Sequence, residues 1–204
     1  MEFYLAIFIF AASTTMTPGP NNIMIMTSGL NYGVKKSIPH LLGICFGFPA
    51  MVLMVGLGFS VVFETYPIFH EIIKVLGVVY LLYLSWLIAS STPTSLETKN
   101  AKPLSFTQAA LFQWVNPKAW VMATGAVSAY TSIASDLMPQ VFIISVIFFI
   151  VAFPCVGIWL LFGRGIKKYL NTPKHQKMFN LSMAALLIAS VFPVLKELVI
   201  GYIA

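Results

Sequence analysis

Long apolar segments separated by short polar turns dominate the chain, and their length predicts helices that cross a membrane. An α-helix needs about 20 predominantly apolar residues to span the hydrocarbon core of a bilayer. Residues typical of turns, chiefly Gly, Pro, Asn and small charge clusters, separate the segments. The pattern predicts six spans, roughly Phe3–Leu30, Ile38–Phe63, Ile68–Ser90, Ser105–Tyr130, Leu137–Phe162 and Phe179–Ile203.

Residues that break helices interrupt the first and the fourth of these spans. The stretch 15–22, Thr-Met-Thr-Pro-Gly-Pro-Asn-Asn, lies in the first, and Asn116-Pro117-Lys118 lies in the fourth. Proline lacks an amide proton and displaces a carbonyl from the helical ladder, and lipid offers no water to replace the lost bonds. Since Pro18 lies about 22 Å and Lys118 about 20 Å along its span, both breaks are predicted in the central part of the bilayer. Two broken helices at matched depth are typical of a transporter site.

Composition supports a membrane protein with a single domain. The chain has 204 residues, of which 59% are hydrophobic and 9% charged, and its mean hydropathy is +0.89. These values lie outside the range of soluble domains, and the polar connections are too short to form a second domain. We therefore expect one all-α integral membrane domain over residues 1–204. Three spans per half make the second half enter from the opposite face, so halves 1–92 and 103–204 would form two inverted three-helix repeats.

The basic residues are distributed so as to define topology. Of the twelve Lys and Arg, nine fall in the connections after the first, third and fifth spans: Lys35, Lys36, Lys99, Lys102, Arg164, Lys167, Lys168, Lys174 and Lys177. The positive-inside rule places these connections in the cytoplasm and both termini on the outer side. The net charge of +6 forms no basic stripe interleaved with aromatic side chains, so nucleic acid is not expected as a partner. Contact of Arg164–Lys177 with anionic lipid is a secondary possibility.

The two breaks also supply the groups that an amino-acid zwitterion needs. A broken helix offers amide donors where its second half starts and carbonyl acceptors where its first half ends. The side chains of Asn21, Asn22 and Asn116 can both donate and accept. The structural alternative is a proline kink capped by its own asparagines.

Lys118 is the only charged residue near the centre of a predicted span. A substrate carboxylate, freed backbone carbonyls or deprotonation could neutralise it, and a snorkelling lysine is the structural alternative. All six acidic residues fall at span ends or in connections, so a cationic substrate side chain would lack a counter-ion. A neutral amino acid is therefore favoured as the substrate.

Three further features have both functional and structural interpretations. Gln113 lies one turn before Asn116, where it could face the cavity or form an ordinary bond between helices. His40 is expected to be an interfacial residue, with a role in coupling as the alternative. Gly43 and Gly47 form a small-xxx-small pair suited to close helix packing, either within the bundle or between protomers of a homo-oligomer.

Two sequence motifs carry a resemblance to a known family. The first reads Met16-Thr17-Pro18-Gly19-Pro20-Asn21-Asn22, and the second reads Gln113-Trp114-Val115-Asn116-Pro117-Lys118-Ala119. Together they resemble the LysE/RhtB family of bacterial amino-acid exporters, and the resemblance covers nearly the whole chain in length and span layout. It implies an inner-membrane exporter of amino acids or close metabolites, driven by the proton gradient. It also implies that Pro18, Gly19, Pro20, Asn21, Asn116, Pro117 and Lys118 lie in the transport path.

Other functional classes fit the residues less well. An ion exporter would need clustered oxygen or sulfur ligands rather than a central lysine. An intramembrane enzyme would show His-Glu-x-x-His or a pair of mid-span aspartates, and the sequence has neither. A non-transporting membrane scaffold would not need two matched breaks. The favoured function is a secondary exporter that works by alternating access and uses neither a cofactor nor a metal.

Overall fold

The computed structural model of the chain describes residues 2–59, 65–90, 102–131, 136–170 and 172–203. Every regular element in these ranges is a helix, so the prediction of an all-α fold is confirmed. The α-helices are α1 (Glu2–Met16), α2 (Pro20–Tyr32), α3 (Val34–Met54), α4 (Pro67–Ser90), α5 (Phe106–Val115), α6 (Pro117–Tyr130), α7 (Leu137–Ile166) and α8 (Pro173–Ile203). A π-helical turn, Val55–Phe59, follows α3.

The structure contains both of the helix breaks that the sequence predicts. In the first, α1 ends at Met16 and α2 begins at Pro20, whose fixed φ and missing amide proton suit the first position of a helix. In the second, α5 ends at Val115, Asn116 adopts an extended conformation with φ −87° and ψ 109°, and Pro117 begins α6. Each proline therefore starts a new helix instead of kinking a continuous one.

Several helices extend beyond the bounds predicted from hydropathy. The structure starts α3 at Val34 rather than Ile38, ends α7 at Ile166 rather than Phe162, and starts α8 at Pro173 rather than Phe179. The added turns carry basic residues, which a hydropathy pattern excludes but a helix end at the membrane interface accommodates. The predicted end of the second span, at Phe63, lies outside the described residues.

The helices differ in how clearly they are membrane spans. Among the described residues, Val34–Gly58 and Leu137–Ile166 are long and apolar enough to cross a membrane by length and composition. Large apolar side chains are exposed on other helices as well, including Trp86 on α4 and Val121 on α6, which is 72% exposed. Such exposure is unusual for a soluble protein and expected in lipid. The arrangement of six spans as two inverted repeats stays a prediction.

Helix α7 lies at the centre of the fold and packs against α1, α2 and α3. Its Phe148 is fully buried in one apolar cluster with Ile7 of α1, Met51 of α3 and Ala123 of α6. On one side α3 also packs against α5, and on the other α4 packs against α8. The two predicted halves of the chain therefore interlock instead of forming separate lobes.

Glycines allow α2 and α7 to approach closely. A Cβ atom on Gly29 would overlap the carbonyl oxygen of Leu160, and one on Gly163 would overlap the carbonyl oxygen of Met26. Both clashes involve backbone atoms, which cannot move away as a flexible side chain can. The crossing therefore brings the backbones of α2 and α7 into direct contact, as small residues do in membrane bundles.

Gly43 and Gly47 have the same role between α3 and α5. A Cβ atom on Gly43 would lie 2.6 Å from the Cβ of Ala109, and one on Gly47 would lie 2.6 Å from the Cα of Ala110. Both glycines are buried. The predicted small-xxx-small pair thus serves helix packing within the bundle.

We expect Gly163→Ala to destabilise the protein, because the new methyl group would overlap the Met26 carbonyl and force the crossing apart. Overpacking of this kind costs about 1–3 kcal/mol, more than the helix propensity that alanine adds. Gly157→Ala is the matched control on the same helix, since no atom lies within 4 Å of the position its Cβ would take. Thermal unfolding of the detergent-solubilised proteins measures both effects. Equal melting temperatures for the two variants would contradict the close crossing.

Candidate functional site

The two helix breaks meet at one pocket between α1, α2, α3, α6 and α7. Its volume is about 410 Å³, including the space at its open mouth. The apolar part of its wall includes Phe48 and Met122. The polar part of its wall consists of Thr14, Thr15, Gly19, Asn21, Asn22, Asn116 and Lys118. Residues from both predicted motifs therefore line the same space.

The ammonium group of Lys118 joins the two breaks. Its Nζ donates a hydrogen bond to the carbonyl oxygen of Thr17 at 2.5 Å and lies 3.5 Å from the carbonyl oxygen of Pro18. These carbonyls lie beyond the end of α1, where the helical ladder has stopped. Freed backbone carbonyls are thus the partner that Lys118 has in this structure. None of the residues that line the pocket is acidic, so the positive charge is balanced by dipoles alone.

Because Gly19 has no side chain, the side chain of Lys118 can pack directly against the backbone of the first break. The backbone of Gly19 is fully extended, with φ −176° and ψ −179°. A Cβ atom there would lie 2.7 Å from Cδ of Lys118 and 3.1 Å from its Nζ. A side chain at position 19 would therefore displace Lys118 from its present position, although the extended backbone would itself accept other residues.

Asn21 and Gln113 form a reciprocal pair between α2 and α5. The Asn21 Nδ2 donates to Gln113 Oε1 at 2.8 Å, and Gln113 Nε2 donates to Asn21 Oδ1 at 3.2 Å and to the Ala109 carbonyl at 2.8 Å. Gln113 is 0% exposed and lies behind the pocket wall, not on it. It orients Asn21, which keeps one amide proton beyond this pair. The sequence left open whether Gln113 faces the cavity, and the structure places it in an interhelical bond.

The side chains of Asn22 and Asn116 form hydrogen bonds with backbone groups at the two breaks. The Nδ2 of Asn22 donates to the carbonyls of Thr15 at 2.8 Å and Thr17 at 2.9 Å, which uses both of its protons. The side chain of Asn116 accepts from the Lys118 amide at 3.1 Å and so caps α6. Both asparagines are almost completely buried. The self-capping alternative therefore describes these two side chains well.

The helices that begin after the two breaks, α2 and α6, differ in the capping of their N-termini. Asn116 caps α6, but the residue before α2 is Gly19, and α2 has no side-chain cap. Because the first amides of a helix have no partner within it, the N-terminus of α2 keeps donors that a ligand can use. Asn21 and Asn22, whose amides belong to this turn, line the pocket. Pro18, Pro20 and Pro117 shape the breaks but are not part of the pocket wall.

Two tryptophans that the sequence analysis did not select also support the breaks. Trp159 of α7 donates its indole proton to the carbonyl of Met16, the last residue of α1, at 3.2 Å. Trp120 of α6 donates to the carbonyl of Trp114 in α5 at 2.7 Å, across the second break. In the sequence, Trp114 and Trp120 flank Asn-Pro-Lys, and this pattern could have predicted the contact between them across the second break.

Thr15 is one of the pocket residues that the sequence analysis did not select. Its neighbours Thr14 and Thr17 donate their hydroxyl protons to carbonyls four residues earlier, at 2.6 Å each, as hydroxyl side chains in helices commonly do. The buried hydroxyl of Thr15 has no such partner and lines the pocket instead. A buried polar group without a partner is uncommon, which makes this hydroxyl a candidate contact for a solute.

His40 is buried between helices, and its position at the depth of the membrane interface stays a prediction. His40 is 1% exposed, and its Nδ1 lies 3.0 Å from the hydroxyl oxygen of Ser28 on α2. The helix that carries it begins at Val34, so His40 lies nearly two turns inside the bundle rather than at a helix end.

Comparisons of the sequence with known proteins identify a family and several relatives. The family model of the LysE type translocator matches residues 12–194. The protein named cysteine/O-acetylserine efflux protein from Escherichia coli strain K12 is 29% identical over 184 residues, which cover 90% of this chain and 92% of the relative. The protein of the same name from Shigella flexneri matches equally, and that from Escherichia coli O1:K1 is 28% identical. No solved structure shows a significant match to this chain.

The match to the family model extends over both helix breaks and over most of the described bundle. The relatives are efflux proteins, which move solutes without transforming them. We conclude that this chain is a transporter rather than an enzyme, an integral protein of the inner membrane, and a member of the LysE-type translocator family.

Proposed function

We propose that the protein exports small neutral amino acids or closely related metabolites, and that they bind where the two helix breaks meet. The observation that carries this proposal is the position of Lys118, whose ammonium group rests on the carbonyls of Thr17 and Pro18 in a pocket without an acidic lining residue. The relatives are named for efflux of cysteine and O-acetylserine. Both are zwitterions with short uncharged side chains, which supports a preference for neutral solutes of that size.

The carboxylate of such a solute would be held by positive groups on one side of the pocket. Lys118 offers its ammonium, and the uncapped start of α2 offers backbone amides at Asn21 and Asn22. Charge-assisted bonds of this type are roughly twice as strong as neutral ones, and the apolar surroundings strengthen them further. A carboxylate would also supply the counter-ion that Lys118 lacks in the pocket.

The ammonium of the solute would take over the carbonyls that Lys118 now occupies. Thr17 and Pro18 present oxygens that already accept from a primary ammonium group. Exchanging one ammonium for another keeps these carbonyls paired, which lipid requires. Lys118 would then bind the carboxylate of the solute. The direct hydrogen bond from Lys118 of α6 to the first break would be replaced by hydrogen bonds through the solute.

This exchange suits alternating access, in which the two halves move around a fixed site. Helix pairing supports the underlying inverted repeat. A two-fold exchange of the halves maps the contact of α1 with α7 onto that of α5 with α3, and maps the contacts of α3 with α7 and of α4 with α8 onto themselves. We propose the proton as the coupling ion, and Lys118 is the ionisable residue among those that line the pocket.

We expect Lys118→Met to lower efflux of neutral amino acids by about 10–100-fold, the value of one hydrogen bond to a charged group. Asn22 still donates to the Thr17 carbonyl, so insertion should be retained. The control is Lys167→Met, which removes the same charge from an exposed position at the end of α7. Efflux of labelled amino acids from preloaded cells at matched membrane abundance measures the effect. Equal efflux by both variants would rule out Lys118 as a binding residue.

Thr15→Val tests whether the free hydroxyl contacts the solute. Valine keeps the shape and removes a buried hydroxyl that has no protein partner, so the thermal stability should stay equal or rise by about 1 kcal/mol. Efflux should nevertheless fall several-fold, because the hydroxyl no longer bonds the solute. Thr15→Ser keeps the hydroxyl and should retain most of the efflux. A Thr15→Val protein with full transport would show that this hydroxyl has no functional role.

The proposed topology places the C-terminus outside the cytoplasm. We expect alkaline phosphatase fused after Ala204 to be active and a fluorescent protein that matures only in the cytoplasm to remain dark at the same position. Fusions after Lys177, in the basic connection before the last predicted span, should show the reverse pattern. Fluorescence at Ala204 would overturn the assignment of sides.

A further inference from the structure

A second pocket lies at the end of α2 that is remote from the break. Its volume is about 490 Å³, and it lies between α2, α3, α4 and residues 102–104, which lead into α5. The apolar part of its wall includes Met24 and Leu84. The polar part consists of Thr27, Ser28, Asn31, Tyr32, His40 and Lys102. None of these residues belongs to the first pocket.

His40 gives this pocket an unsatisfied buried polar group. Its Nδ1 contacts the Ser28 hydroxyl, whereas its Nε2 is buried without a hydrogen-bond partner. A histidine used only for packing would have both nitrogens satisfied or one exposed to water. The Ser28 hydroxyl can donate or accept, so its contact fits either tautomer, and in both Nε2 keeps a proton or a lone pair without a partner in the protein. A zwitterion carries both the acceptor and the donor that could meet it.

The two pockets lie along one face of the same helix. Asn21, Met24, Ser28 and Asn31 recur at helical spacing of three and four residues, so their side chains follow one side of α2. Asn21 lines the first pocket, and the other three line the second. The rise from Asn21 to Ser28 is about 10 Å. Met24, which is buried in an apolar cluster with Phe112, lies between the polar groups of the two pockets.

Exposed lysines near the second pocket indicate that it opens toward the cytoplasmic side, from which an exported solute would arrive. The exposed Lys102 contributes to its wall, and Lys35 and Lys36 are exposed at the start of α3, the helix that carries His40. These lysines belong to the connections that the positive-inside rule assigns to the cytoplasm. A positive rim raises the local concentration of solutes with a carboxylate and increases their rate of association.

We infer that the second pocket is a vestibule that binds the exported zwitterion on the cytoplasmic side before it reaches the break. Lys102 holds the carboxylate, and His40 Nε2 with the amide of Asn31 contacts the polar groups of the amino acid. Met24 separates this vestibule from the site at Lys118. The inference rests on the proposed export function and adds a second binding site, with its own residues, to the same path.

The first test measures uptake of O-acetylserine into inside-out vesicles, which expose the cytoplasmic face. Lys102→Gln and His40→Gln should each raise KM about tenfold, the value of one hydrogen bond to a charged group, with little change in the maximal rate. Lys174→Gln removes the same charge as Lys102→Gln from an exposed residue of α8 outside the pocket wall and should leave KM unchanged. Because Lys102 is exposed, its variant tests the vestibule even if His40→Gln inserts poorly.

The second test detects binding without transport. Asn31→Cys is introduced together with Lys118→Met into a chain whose Cys45 and Cys155 are replaced by alanine, and a maleimide is added from the cytoplasmic side. O-acetylserine should slow labelling of this cysteine several-fold while leaving a cysteine at the exposed position of Thr172, in the basic connection before α8, unaffected.

The outcomes separate the two proposals. Slower labelling at Asn31→Cys with a raised KM in Lys102→Gln supports the vestibule. Uptake by the native chain with an unchanged KM in both vestibule variants, and no protection from labelling, overturns the vestibule and leaves the export function standing. Absence of uptake of O-acetylserine and other neutral amino acids by the native chain overturns the export function and the vestibule with it.

Discussion

The carbonyl oxygens at the end of α1 must find hydrogen-bond donors within the protein, because an apolar membrane interior supplies none. Three helices provide them. The Met16 carbonyl accepts from Trp159 of α7, the Thr15 carbonyl accepts from Asn22 of α2, and the Thr17 carbonyl accepts from both Asn22 and Lys118 of α6. Satisfying the end of one short helix therefore fixes the positions of three others around it.

The two breaks contribute different groups to the site. At the second break, Asn116 caps α6 and Trp120 donates to the last turn of α5, so the polar groups of this break are largely paired with one another. At the first break, the start of α2 has no side-chain cap, and the Thr17 carbonyl accepts from a lysine of the other half of the chain as well as from Asn22. The first break is thus the adaptable one, and the second provides the rigid helix end that carries the charge.

The sequence predicted the breaks well because proline and glycine act through local covalent geometry. Pro20 and Pro117 each begin a helix, and this effect depends on the proline ring and not on contacts with other helices. The positions of the breaks can therefore be predicted from the sequence. The orientation of side chains is a different matter. A shift of one residue rotates a helical side chain by about 100°, so the roles of Gln113 and Thr15 depend on contacts between helices that sequence spacing does not specify. The burial of His40 was missed for the same reason, since the nearby lysines are exposed and it is not.

The hydrogen bonds at the first break also differ in when they can form during synthesis. The Thr17 carbonyl and its lysine donor are 101 residues apart, which at a translation rate of about 5–20 residues per second corresponds to a delay of roughly 5–20 s. Asn22 is only five residues from Thr17 and is made almost at once. The asparagine therefore lets the broken helix enter the bilayer with this carbonyl already paired, and the lysine joins it only when the second half of the chain has been inserted.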